Sequence, residues 1–455
     1  MRLNEGAHST DEAALKHVSS TKRPKLLFLA HPFPPVNMIA CVRTWNIVMH
    51  LTRLEWDVTV VTPDPSVWRH VDDDGETERC LLRAGISRIL TRHDLRFLSP
   101  GHLKSGRMGL GPIGGVCRFI FRHLGIDRDI GWYRPANQAC SGLTAKDVDL
   151  ILATSPPYPA FLLARRLSER LLCPFVLDYR DLWLDNTYLN LKFSDAKEQD
   201  EARLLAMCSA VTIVSPSCAM LLDQKYRLGE KLHVVTNGYD PEDMQQVAPF
   251  EFGHFAIVYA GTFFPPKRSI SSVMAALKRI KDTHSDSSGQ WKFHYYGRSV
   301  EHVQQEARRY GVDDHVIVHG YVTRSVALSA LKGADISVVI TIVDEDGTLA
   351  EKGIVTGKLF ESLCLGKRVL LVAPPGSDAE TIGKSSGLVH RFGGRDIDGM
   401  AAFLKNAMFN CIPSECEREG ALDPYAWPNI AKNFDSILRA VIEKESKVKH
   451  LRSAL

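Results

Sequence analysis

A chain of 455 residues exceeds the roughly 250 to 300 at which a single hydrophobic core stops growing, so at least two domains are expected. Hydrophobic residues at 45%, charged residues at 24% and a mean hydropathy of -0.11 exclude a mainly disordered chain and an integral membrane protein. With 56 Lys and Arg against 53 Asp and Glu, the net charge of +3 is too small for a duplex-binding protein, and no nucleic-acid partner is expected.

The 10 cysteines contain no C-x-x-C pair and no matching His spacing, so no structural metal site is expected. Several lie in apolar runs, as Cys173 and Cys364 do, which fits free thiols in a reducing, cytoplasmic location. Residues 1–23 read as a flexible polar tail without the apolar stretch of a signal peptide. No later run reaches the length of a membrane span.

In chain order, short runs rich in β-branched residues predict strands over 25–30, 57–62, 149–154, 174–178, 211–215 and 232–236. A second set follows over 255–260, 291–297, 315–320, 335–340, 368–373 and 387–392. Segments of helical spacing separate most of them. The alternation implies parallel α/β structure, and two sets fit two doubly wound, Rossmann-like domains better than one barrel. The polar stretch DPEDMQQVAPFEFG marks the boundary, dividing an N-terminal domain over 24–245 from a C-terminal domain over 246–424. Residues 64–135 interrupt the first set as an insertion. Within it Val116, Phe119, Ile120 and Leu124 share a helical face, with Arg118 and Arg122 off it. That pattern fits either peripheral contact of 107–125 with an anionic membrane surface or a helix packed on its own domain.

Ligands of open α/β sheets bind beyond the carboxyl ends of the strands, which directs attention to the residues after each one. The first strand leads into HPFPPVNMIACVR, with His31 and the stiff Pro34-Pro35 pair. The third leads into TSPPYPA, with Pro156. DYRDLW ends the fourth and sets Asp178, Arg180 and Asp181 together, either as a structural salt bridge or as groups that act on a ligand. In the second half, YAGTFFPPKRSI brings Lys267 and Arg268 before a helix, where a helix N-terminus and adjacent cations suit a diphosphate. Neither a Walker A loop nor a dinucleotide fingerprint is present. Finally, TGKLFESL opens a helix carrying Lys358 and Glu361; the glutamate either complements the helix dipole or accepts ribose hydroxyls.

The stretches FLAHPFPP, WDVTVVTP, GWYRPA, VDLILATSPPYPA, PFVLDYRDLW, NGYDPED, IVYAGTF, VIVHGYVTR, GADISVVI and TGKLFESLCLGKRVLLV occur in order over about 25 to 435. Together they resemble glycosyltransferase family 4 of the GT-B fold, in the branch that assembles bacterial surface glycans and related glycoconjugates. The resemblance implies two Rossmann-like domains facing across a cleft, with a closing helix over 425–455 that crosses back to the N-terminal domain. It implies a retaining transfer, without metal or cofactor, from a UDP- or GDP-linked nucleotide sugar to a hydroxyl acceptor that is a glycan, a lipid-linked glycan or a small molecule. The cytoplasm, with contact at the inner face of the plasma membrane, is the location this suggests. His31, Pro35, Asn37 and Pro156 fall on the acceptor side, and Asp178, Arg180 and Asp181 are the catalytic candidates. Gly261, Thr262, Lys267, Arg268, Tyr321, Val322, Glu351, Lys358 and Glu361 fall on the donor side. Three positions depart from the family pattern: Gly353 replaces the first glutamate of E-x7-E, Thr262 replaces a cation, and VNMIAC replaces paired glycines. These departures leave open a catalytically silent binding protein, and the fold leaves open a sugar-nucleotide epimerase.

Overall fold

The computed structural model describes residues 23–36, 39–64, 86, 88–91, 130–188, 195–283, 290–409 and 420–453. Strands β1 (Lys25–Leu29), β2 (Asp57–Val61), β3 (Arg88–Leu90), β4 (Leu150–Ser155), β5 (Phe175–Tyr179), β6 (Ala210–Ile213) and β7 (Leu232–Val234) form one sheet in the order β3-β2-β1-β4-β5-β6-β7. A second sheet joins β8 (Phe255–Ala260), β9 (Trp291–Tyr296), β10 (Val316–Gly320), β11 (Ile336–Ile340), β12 (Arg368–Val372) and β13 (Val389–Phe392) in the order β10-β9-β8-β11-β12-β13. Every pairing among these strands is parallel. The central strands read as continuous apolar runs because both faces of each sheet are covered by helices. Strand β3 was not expected from the sequence: it lies inside the stretch read as an insertion, has only three residues and pairs along one edge of β2.

Strand order reverses between β1 and β4 in the first sheet and between β8 and β11 in the second. At such a point neighbouring connections leave toward opposite faces, opening a crevice at the carboxyl ends. The residues that follow these strands, His31, Pro156, Gly261 and Thr341, therefore stand at the two natural ligand positions.

One face of the first sheet is covered by the helices Pro159–Leu171 and Pro216–Tyr226, whose Phe161, Leu163 and Leu222 pack with Leu27, Ile151 and Leu177. The opposite face is covered by the helix Ile39–Arg53 and by the C-terminal helix Trp427–Ser453. Trp427, Ile430, Phe434 and Leu438 of the latter pack with Phe28, Val48 and Leu51. Trp56 Nε1 donates to Asp435 at 2.6 Å and Arg439 Nη2 to the Leu54 carbonyl at 3.0 Å, which fixes the register of this crossing. In the second sheet, Val273, Met274 and Leu277 cover one face while Leu359, Phe360 and Leu363 cover the other.

Asn37, the 107–125 segment and residues 1–22 lie outside the described residues. Among those described, no helix is long and apolar enough to cross a membrane. Because Phe434 is fully buried under the first sheet, Phe434→Ala should destabilise the protein by about 3 to 5 kcal/mol, read as a lower denaturation midpoint.

Candidate active site

The carboxyl ends of the two sheets face one another across a cleft of about 430 Å³. His31, Pro156, Arg180 and Asp181 line its N-terminal wall; Arg268, Thr356, Lys358 and Glu361 line its C-terminal wall. Trp427, at the start of the C-terminal helix, also reaches it. Seven of the residues singled out in the sequence thus converge here from both halves of the chain.

Asp178 is not among them, which corrects its reading as a catalytic group. It is fully buried on β5 and accepts from Arg43 Nη2 at 2.7 Å and Nε at 3.1 Å, and from the hydroxyls of Thr154 and Thr212 at 2.7 Å each. Burial alone would raise its pKa, but the Arg43 charge and these hydrogen bonds outweigh it and hold the carboxyl below its ordinary value. The remaining donors of Arg43 reach the carbonyls of Val235 and Thr236 and the side chain of Asn237. Asp178 is therefore a positioning group that ties the first helix to β4, β5, β6 and the chain after β7.

Arg180 clamps backbone instead of pairing with an aspartate. Its guanidinium donates to the carbonyls of Ser155, Pro156 and Ala40, holding the turn after β4 against the start of the first helix. Asp181 projects into the cleft with no side-chain hydrogen bond or ion pair among the described residues. It is exposed to the solvent of the cleft. The protein mass around the cleft still raises its pKa, opposed by the charges of Arg180 and Arg268.

On the facing wall, Arg268 is buried, donating to the Thr341 carbonyl at 3.2 Å and to the Tyr188 hydroxyl. Its guanidinium also lies over the rings of Tyr188 at 5.2 Å and Phe264 at 5.6 Å, so an N-terminal-half tyrosine steadies a C-terminal-half cation. Lys358 sits in the first turn of the helix Gly357–Cys364, whose Thr356 N-cap makes no side-chain cap and keeps a buried hydroxyl without a partner. The amino-terminal N–H groups of this helix and two cations thus meet at one spot. Burial, with the nearby Arg268 charge, brings the Lys358 pKa down to about 8, against the opposing pull of Glu361. A Cβ at Gly261 would collide with Lys358 Cε, so the glycine makes room for the lysine chain. Glu361 is paired with Arg324 at 2.9 Å.

Other expected residues stand elsewhere. Glu351 closes a capping box with Thr348 and pairs with Lys267 at 2.9 Å, so neither side chain lines the cleft. Thr262 and Pro35 also fall outside the lining, Tyr321 is exposed with Arg298 stacked 4.3 Å from its ring, and Val322 packs on the second core. Gly353 lies at a seam between the halves, where a Cβ would fall 2.8 Å from Ser215 Oγ and strike Cys218 Sγ. Next to it, the Ser217 N–H and hydroxyl both donate to Asp378, at 2.9 and 2.8 Å. The sequence reading missed Arg43, Tyr188, Phe264 and Arg324. The signal for Arg43 was a cation at helical spacing from the apolar Ile47 and Leu51; Tyr188 and Phe264 carried none.

Two parallel-sheet domains with a cleft between their carboxyl ends define the GT-B class, and solved structures of similar shape agree. A glycosyltransferase from Rickettsia africae matches with a TM-score of 0.60 at 12% identity, covering 92% of this chain and 99% of that one. Sucrose-phosphate synthase from Thermosynechococcus elongatus matches with a TM-score of 0.58 at 13% identity, covering 95% and 100%. HepE of Anabaena, solved with UDP and glucose, matches with a TM-score of 0.53 at 15% identity, covering 95% and 100%. No curated protein matches the chain significantly. The family model "Glycosyltransferase Family 4" matches residues 42–243 and "Glycosyl transferases group 1" matches residues 254–408. The chain belongs to glycosyltransferase family 4.

Removing the Asp178 charge should leave Arg43 buried and unpaired, so Asp178→Asn should cost about 3 to 5 kcal/mol of stability. Asp181→Asn, which breaks no contact, should stay within about 0.5 kcal/mol of wild type or exceed it. Urea denaturation of the two variants distinguishes the roles.

Proposed function

We propose that this glycosyltransferase moves a sugar from a UDP- or GDP-linked nucleotide sugar to a hydroxyl acceptor, with retention of configuration. The observation that carries the reading is the meeting of Arg268, Lys358 and the N-terminus of the helix Gly357–Cys364 at one wall of the interdomain cleft. As the sugar leaves, negative charge grows on the diphosphate, and fixed cations and N–H groups stabilise that charge without having to reorganise. They supply the positive charge that a divalent ion supplies elsewhere, so the proposal includes metal-independent chemistry. In this reading Glu361, one turn beyond Lys358 on the same helix, accepts hydrogen bonds from the ribose in place of its pairing with Arg324. The complexes of HepE with UDP and with UDP-glucose support a uridine nucleotide among the choices. His31 and Pro156, across the cleft, form the acceptor side. No acceptor-side base is required if the leaving phosphate oxygen takes the acceptor's proton on the same face.

Arg268→Ala should weaken nucleoside diphosphate binding roughly 10-fold to 150-fold while leaving the free nucleoside nearly unaffected, because only the diphosphate carries the charge it meets. Calorimetric titration with both ligands checks this. Equal weakening of the two would remove Arg268 from the diphosphate site.

Lys358 adds a pH signature. Its ammonium is present below a pKa of about 8 and is lost above it, so diphosphate affinity should hold near pH 7 and fall as pH rises beyond 8. Lys358→Arg, which stays charged, should flatten the decline.

A further inference from the structure

The carboxylates that line the main cleft and the small cavity of about 60 Å³ beside it are Asp181, Asp185 and Glu361. Glu361 is held by Arg324, and Asp185 by Lys225 at 3.3 Å. Asp181, which lines both cavities, is the one without a hydrogen-bond or ion-pair partner among the described residues. Asp181 is exposed to the solvent of the cleft, so its carboxylate oxygens can exchange water for the hydroxyl donors of a ligand, in a charge-assisted hydrogen bond. Glu351, the nearest alternative carboxylate in sequence to the cleft, is occupied by Thr348 and Lys267. Position 353 has no room for a side chain.

We infer that Asp181, supplied by the N-terminal half, reads the hydroxyls of the donor sugar and separates the nucleotide sugar from the spent nucleoside diphosphate. The inference rests on the donor site proposed above. With the diphosphate on Arg268 and Lys358, and the nucleoside toward Glu361, the sugar extends to the opposite wall, where Asp181 lines the same cleft. The small cavity behind Asp181, about 60 Å³, is far smaller than the main cleft of about 430 Å³, so the ring itself lies in the main cleft. A sugar hydroxyl donates to the carboxylate, whereas the free terminal phosphate of the product brings another negative charge toward it. The same group therefore holds the substrate and repels the product.

The two effects have opposite signs, which a purely structural role would not produce. Wild type, Asp181→Ala and Asp181→Asn are titrated calorimetrically with UDP, GDP, UDP-glucose, UDP-N-acetylglucosamine and GDP-mannose. The Ala variant should bind the best-held nucleotide sugar about 10-fold or more weakly than wild type, and the matching nucleoside diphosphate equally or more tightly. The Asn variant, whose amide still accepts a hydroxyl hydrogen bond, should recover part of the sugar affinity and keep the tighter diphosphate binding. Nucleotide-sugar affinity unchanged in the Ala variant, or equal weakening of sugar-linked and free diphosphate, overturns the inference and leaves the donor site standing. A wild type that binds none of the five overturns the donor-site reading itself, and with it this inference.

Discussion

The Arg43–Asp178 pair is the point on which the N-terminal half of the cleft depends. All five N–H groups of Arg43 have acceptors, two on Asp178 and the others at Val235, Thr236 and Asn237. Asp178 in turn accepts four hydrogen bonds, from Arg43 and from a threonine on each neighbouring strand. A buried ion pair stabilises only when its desolvation is offset in this way, and losing either member leaves an uncompensated charge. Trp427 and Phe434 of the C-terminal helix lie at 6.0 and 5.5 Å from the same guanidinium, so the crossing helix closes over the pair. The ends of β4 and β5 that this pair fixes are the ones that carry Pro156, Arg180 and Asp181 into the cleft.

What could be read from the sequence follows the range of the interactions concerned. Most strands that the sequence marks are apolar runs whose period and flanking turns are local, and even the three-residue β7 lies in a β-branched run, LHVVT. The Arg-Ile-Leu run of β3 has neither length nor flanks to mark it. Arg268, Lys358 and Glu361 were legible for the same reason, since each belongs to a strand-loop-helix unit contained within a short stretch. The DYRD run shows where local reading ends: it places three charges at one strand terminus but does not say that Asp178 turns into the core while Asp181 turns into the cleft. That choice is made by Arg43, which lies 135 residues away from Asp178. Tyr188 is likewise defined by Arg268, 80 residues on.

Gly353 has a physical explanation in the contact between the two halves. The turn that follows the helix Leu349–Lys352 packs on the start of the helix Pro216–Tyr226, and the Ser217–Asp378 hydrogen bonds fasten the same seam. Asp378 meets the amino-terminal N–H of Ser217, where a carboxylate is electrostatically favoured. Close backbone approach at 353 and a side chain pointing into the cleft are mutually exclusive, and this chain has the close approach. The small cavity that Gly353 lines receives a carboxylate from the other half instead, at Asp181.

The C-terminal helix also bears on how the molecule is made. Its apolar face completes the core beneath β1 and the first helix, and Trp56 meets Asp435 across 379 residues. During synthesis the N-terminal sheet can pair its strands as they emerge, but one face of it stays unsealed until Trp427–Ser453 has left the ribosome. Until then the uncovered face exposes Phe28, Val48 and Leu51 to any surface that offers them burial.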